Sequence, residues 1–201
     1  SLAEILKSGD ASRWSLKIKI DNQELSINFP VQDTREKMLV KITEMRKRLE
    51  TAIPLLSPQV RVNIAMASND AITSSDIVAF PGRLTPVDGK ARPLSSPKFG
   101  GSSHLSYLLL DLRKFDSNVS IIINLRWDSI ISELLKELNI SSAKLIRNGD
   151  DLEISEAVMK AEALIDEGGY GFEPSLYIVG NSYDRVCRIV KELAKSMEAM
   201  A

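Results

Sequence analysis

Apolar and polar side chains alternate strictly through "WSLKIKI" (residues 14–20) and "ELSINF" (24–29), on either side of Asp21-Asn22-Gln23. That pattern predicts two paired strands with one buried face. The period then changes. From Asp33 to about Leu56, the apolar residues Ile42, Met45, Leu49, Ala52 and Leu56 recur at steps of three and four among charges, which predicts an amphipathic helix ended before Pro58. Its basic run Arg46-Lys47-Arg48 reads as a solvated face rather than a binding patch. "VRVNIAMA" (60–67) and "SDIVAF" (75–80) read as strands, and Pro81 to Gly101, rich in Pro, Gly and Ser, as largely loop.

Beyond that loop, Leu105, Leu108, Leu109 and Leu112 mark a helix whose natural N-cap is Ser102 or Ser103. "VSIIINL" (119–125) has no polar face, as a central strand covered on both sides requires. Asp128 can cap a helix carrying Ile131, Leu134, Leu135 and Leu138. "AKLIR" (143–147) predicts a short strand, residues 153–166 a helix, "SLYIVG" (175–180) a strand and residues from 182 onward a last helix. Alternating strands and helices imply a layered α/β domain, and the N-terminal hairpin implies a mixed sheet. No linker separates two cores, so a single domain over 1–201 is expected, with the hairpin and helix in 1–58 and an α/β core in 59–201.

Composition narrows the function classes. The 201 residues, 44% hydrophobic and 26% charged, are an ordinary globular mixture. No apolar run approaches the roughly 20 residues of a membrane span. The start has neither the order of a signal peptide nor a Met, so a cytoplasmic chain cut from a longer one is expected. One Cys and one His cannot supply a zinc site, and Cys187 reads as a packing residue. A net charge of −1 with both signs interspersed gives no footprint for nucleic acid.

Candidate chemistry gathers in "FGGSSH" (99–104). Gly101, Ser102 and Ser103 precede the free N–H groups of a helix start, which is either a plain Gly-Ser cap or an anion site. His104 sits in that first turn at the edge of the leucine stripe; a lone histidine is more often structural, but this one can reach a ligand at the helix end. Arg83, presented by the Pro81-Gly82 turn, could grip a phosphate with two parallel hydrogen bonds. Asn124 and Arg126 end the most apolar strand, where open α/β sheets collect ligands; they could equally satisfy loop backbone and pair with a carboxylate. Lys98 either joins the anion site or solubilises the loop.

The order "VNIAMA", "SSDIVAFPGRL", "PKFGGSSHLSYLLL", "IINLRW", "GYGFEPSLYIVG" resembles the ThiN-type thiamine-phosphate synthase family from about residue 60 to the C-terminus. The resemblance implies a three-layer α/β/α fold with a mixed sheet, similar to class II aldolases but without their metal chemistry. It implies that hydroxymethylpyrimidine diphosphate and hydroxyethylthiazole phosphate are joined to give thiamine phosphate and pyrophosphate. Arg83 and His104 fall on the family's arginine and histidine held important for activity. Gly82, Lys98, Gly101, Ser102, Ser103, Asn124 and Arg126 would then bind substrate, with Mg²⁺ bridging the diphosphate and no protein-held metal. Family members commonly follow a hydroxymethylpyrimidine phosphate kinase, and the fold admits a homodimer. Another branch, fused to a helix-turn-helix, senses a thiamine phosphate and is the alternative reading. Ser106-Tyr107, where relatives carry a small and a basic residue, and Phe172 depart from the family pattern.

Overall fold

The computed structural model describes residues 4–6, 13–20, 23–30, 34–149, 151–158 and 160–200. They form two compact units, Ser1–Lys37 and Met38–Ala201. In the first unit β1 (Glu4–Leu6), β2 (Arg13–Ile20) and β3 (Gln23–Pro30) make an antiparallel three-stranded sheet. The expected hairpin is there, with Ile20 opposite Gln23; Asp21 and Asn22 lie outside the described residues. It forms a sheet of its own, so the mixed character of the main sheet has another origin.

The helix predicted to end near Leu56 is two helices, α1 (Thr34–Arg48) and α2 (Ala52–Leu55). They are followed by β4 (Ile64–Ala67), β5 (Ile77–Ala79), β6 (Leu84–Val87), β7 (Lys90–Pro93) and β8 (Lys98–Phe99). Next come α3 (Ser103–Phe115), β9 (Ile121–Arg126) and α4 (Ser129–Glu137). The chain continues through β10 (Ser142–Lys144), β11 (Ile146–Asn148), β12 (Asp151–Glu153), β13 (Ala163–Asp166) and β14 (Ser175–Gly180). It closes on α5 (Tyr183–Met200).

Seven strands in the order β10-β13-β14-β9-β4-β5-β8 form the main sheet, parallel between β10 and β13 and antiparallel elsewhere. The apolar run of β9 sits at its centre. Because successive strand side chains point to opposite faces, the inner strands β13, β14, β9, β4 and β5 feed two cores. Ile121, Ile123, Leu176 and Ile178 join α1, α2, α4 and α5 on one side. Ile122, Leu164, Tyr177 and Val179 join the Leu105, Leu108, Leu109 and Leu112 stripe of α3 on the other. The result is a three-layer α/β/α sandwich, and each helix meets the sheet through the face its periodicity marked.

Several expectations need correction. The "loop" from Pro81 to Gly101 contains the β6–β7 hairpin and β8; Asp88 and Gly89 at its tip have φ of 50° and 69°, the left-handed pair of a tight two-residue turn. Residues 153–166 are not a helix: they hold the end of β12, a single 3₁₀ turn and β13. All four residues of β13 are buried, between β10 and β14, and burial on both faces outweighs the local helix preference of "AEAL". "AKLIR" is split between β10 and β11. Arg46 does not belong to a solvated face: it is buried, donating to the Ala91 carbonyl at 3.4 Å and lying 3.6 Å from Glu50.

Candidate functional site

The α3 side of the sheet carries a polar row at one end of its central strands. Register places Asn124 of β9 opposite Tyr177 of β14, and Asp166 of β13 opposite Ser175. The N-terminus of α3 lies over this row. Gly101 makes that approach possible, because a Cβ there would stand 2.3 Å from the Ala79 carbonyl oxygen of β5. Ser102 is the N-cap with an extended φ of −150°, yet its hydroxyl makes no capping bond. The first-turn N–H groups, which have no intrahelical acceptor, are therefore left without a side-chain cap at the mouth of the site.

From the other side comes the turn after β5, where Gly82 and Arg83 have successive φ values of 74° and 68°. A left-handed arginine is a strained residue, and such strain persists only where its surroundings enforce it. Here Nη1 of Arg83 donates to the carbonyl of Val60. That carbonyl belongs to a clamped segment, 59–63. The Glu173 carboxylate accepts from the N–H of Gln59 and Val60 at 2.7 and 2.9 Å. Asn124 donates to the Arg61 carbonyl at 3.0 Å and accepts from the N–H of Asn63 at 2.7 Å. Arg61 is itself left-handed, with φ 68°.

A cavity of about 280 Å³ opens between these parts. Of the residues expected at the site, Arg83, Ser102, His104 and Asn124 line it. Lys98, Gly82, Gly101 and Ser103 are not among its lining residues. Arg126 pairs with Asp128 instead, Nε to Oδ2 at 2.7 Å, while the same carboxylate caps α4 through the N–H of Ile131 at 3.0 Å. Another hollow, of about 200 Å³, lies by Val119, Val179 and the Arg185–Glu162 pair and holds none of the expected residues.

The sequence reading missed Tyr177, Arg147, Asp166 and Glu173, all of which line the cavity. His104 Nε2 lies 2.8 Å from the Tyr177 hydroxyl. Partial burial, and then the guanidinium groups of Arg83 and Arg147, hold the His104 pKa below its ordinary 6.5, against the pull of Asp166. Burial pushes the Tyr177 phenol up to about 12, so it keeps its proton. Arg147 lies across both Asp166 oxygens, with Nε 3.2 Å from Oδ1, and its guanidinium stacks 4.1 Å over the Phe172 ring. Phe172, a departure from the family pattern, thus holds a cation in place. A buried strand tyrosine needs a partner for its hydroxyl, so "SLYIVG" did carry a signal for Tyr177. The pairing of Arg147 with Asp166 depends on β10, β11 and β13 and had none.

Among the described residues no group of three His, Cys, Asp or Glu side chains could hold a metal ion. The cavity's two carboxylates are already committed, Asp166 to Arg147 and the Gly168 N–H, and Glu173 to backbone. No helix among the described residues is long and apolar enough to cross a membrane.

Fold and site together define an α/β/α sandwich with a basic and aromatic pocket at the strand ends, closed by a helix N-terminus. The family model "Thiamine-phosphate synthase ThiN" matches residues 40–192, and the chain belongs to that family. Thiamine-phosphate synthase ThiN of Methanothermobacter thermautotrophicus is 24% identical over 184 residues, covering 81% of this chain and 97% of the relative. The bifunctional thiamine biosynthesis protein ThiDN of Methanocaldococcus jannaschii is 23% identical over 208 residues, and the match covers 96% of this chain but 49% of that relative. The chain thus spans about half the length of the bifunctional protein. The fold is shared with the crystal structure of the C-terminal domain of protein MJ0236 at TM-score 0.70, 22% identity and coverage of 83% of this chain and 98% of that one. A solved C-terminal domain of phosphomethylpyrimidine kinase matches at TM-score 0.67, 19% identity and coverage of 78% and 98%.

Proposed function

We propose that the chain is a thiamine-phosphate synthase, joining hydroxymethylpyrimidine diphosphate to hydroxyethylthiazole phosphate and releasing pyrophosphate. The observation that carries this reading is that Arg83 and His104, the two residues on which the family resemblance turns, line one cavity beside the open N-terminus of α3. In the reaction the thiazole nitrogen forms a bond to the pyrimidine methylene carbon as the carbon–oxygen bond to the diphosphate breaks. Negative charge grows on the departing pyrophosphate, and preorganised donors aimed at that charge lower the barrier.

Arg83 supplies such donors. With Nη1 held by Val60, the guanidinium is oriented and its remaining N–H groups are left for phosphate oxygens. Ser102 and the first-turn amides of α3 supply others, favoured by the positive end of the helix dipole. His104 donates a hydrogen bond to the same leaving group. Asn124 acts indirectly, holding the 59–63 segment on which Arg83 rests. Mg²⁺ would enter on the diphosphate, held by phosphate oxygens, since Asp166 and Glu173 are engaged elsewhere; it would neutralise part of the leaving group's charge.

Mixing the purified chain with both precursors and following pyrophosphate tests the proposal. Sustained release that requires both substrates supports it. Binding of thiamine phosphate without turnover would replace it with a ligand-sensing role.

A further inference from the structure

We propose that Tyr177 is a positioning residue for His104, holding the imidazole as the Nδ1–H tautomer so that Nδ1 presents an N–H donor to the anionic substrate. The inference rests on the proposed function and deepens it by assigning the nitrogen that meets the leaving group.

The argument starts from a buried phenol. Tyr177 is 2% exposed, on the α3 face of β14. Its hydroxyl must place a proton, since buried O–H groups are rarely left unpaired. Its close partner is His104 Nε2, at 2.8 Å; the Ser175 hydroxyl also interacts with it, and itself donates to the Glu173 carbonyl at 3.3 Å. If Nε2 instead carried the proton and donated to the phenol oxygen, the phenol hydrogen would have to turn from the 2.8 Å contact to the Ser175 hydroxyl, a weaker acceptor than an imidazole nitrogen. The bond therefore runs from Tyr177 O–H to Nε2, and the neutral ring's proton sits on Nδ1. Which ring nitrogen bears the proton is set by the bond the other one makes.

The surroundings agree. His104 faces Arg83 from the β5–β6 turn, Arg147 from β11 and Asp166 from β13, with Glu173 in the same cavity. On its other side it borders a hollow lined by Tyr107 and Asp111 of α3 and Asp151 of β12. Two guanidinium groups close by disfavour a cationic ring in the free protein, so a neutral donor is the form this pocket prepares. Nδ1 has no protein partner among the described residues. The two rings are tilted by 47° at a centroid distance of 5.8 Å, so they do not lie face to face.

His104 is the sole histidine, so every imidazole NMR signal is its own. With ¹³C,¹⁵N-histidine in the whole chain above the imidazole titration, the ring nitrogen and Cδ2 shifts read the tautomer directly. The expected result is Nδ1–H in the natural chain and a return toward Nε2–H, the form free histidine prefers, in Tyr177→Phe. Nε2–H in the natural chain overturns the proposal, as does an unchanged tautomer in a folded Tyr177→Phe. Turnover adds a second arm: His104→Asn, whose amide nitrogen falls near Nδ1, should exceed His104→Gln, which mimics Nε2, by about tenfold in kcat. Equal or reversed rates overturn the assignment of Nδ1. Loss of all turnover in the natural chain would instead defeat the proposed function, and the tautomer measurement would stand apart from it.

Discussion

Arg83 is the residue on which most depends, because its left-handed backbone and its bond to Val60 serve an orientation rather than stability alone. Arg83→Ala should lower kcat/KM by about 100-fold or more, the order expected for losing a charged donor to a leaving group. The unfolding transition should move little; steady-state kinetics beside thermal melts read both. Asn124→Ala should lower stability as well as kcat/KM, because it releases the 59–63 segment on which Arg83 rests. It strands the buried N–H of Asn63 and the Arg61 carbonyl, at a cost of about 2 kcal/mol or more visible in urea denaturation. His104 adds a pH effect whose sign follows from its lowered pKa. The unfolded chain binds the proton first, so this contribution to stability is whole above pH 6.5 and is lost as pH falls through the lower folded value. Melts from pH 7.5 down to 5 should show that loss, and His104→Gln should flatten it.

Residues legible in the sequence were those whose role is local. Arg83 follows a Pro-Gly turn and His104 opens a helix, so their exposure could be read from neighbours. Asn124 and Arg126 were read with their alternatives open, and the structure shows both engaged by protein, the first by loop backbone and the second by Asp128. Tyr177 and the Arg147–Asp166 pair join parts of the chain that no local pattern connects: Tyr177 meets His104, 73 residues away in sequence, and Arg147 of β11 meets Asp166 of β13.

At the scale of elements, periodicity found α3, α4, α5, β4, β5, β9 and β14 because each keeps one period over its length. It failed where tertiary pairing decides the outcome. In β13, two strand neighbours override a helix-forming sequence; in β6–β7, the Asp88-Gly89 signal was hidden among prolines. The junction of β8 with α3 is the element most tied to the site. Gly101→Ala would drive a methyl into the Ala79 carbonyl, so α3 must lift from β5. The expected outcome is a stability loss of about 2 kcal/mol or more together with weaker pyrophosphate binding, measured by denaturation and calorimetry. An alanine accepted without either effect would show that the approach of α3 to β5 does not set the pocket.

For the whole molecule, both hydrophobic cores and every residue lining the cavity lie in the Met38–Ala201 unit, which also contains the whole of the family match. A sandwich with helices on both faces can bury a two-sided sheet and still leave its strand ends open, which is where the polar row, Arg83 and the start of α3 converge. The decisive measurement is pyrophosphate release by the purified chain given hydroxymethylpyrimidine diphosphate and hydroxyethylthiazole phosphate together. Catalytic release, with thiamine phosphate formed in equal amount and abolished by Arg83→Ala or His104→Ala, is the predicted result. No release above that of the doubly substituted chain, under conditions where both substrates bind, would contradict it.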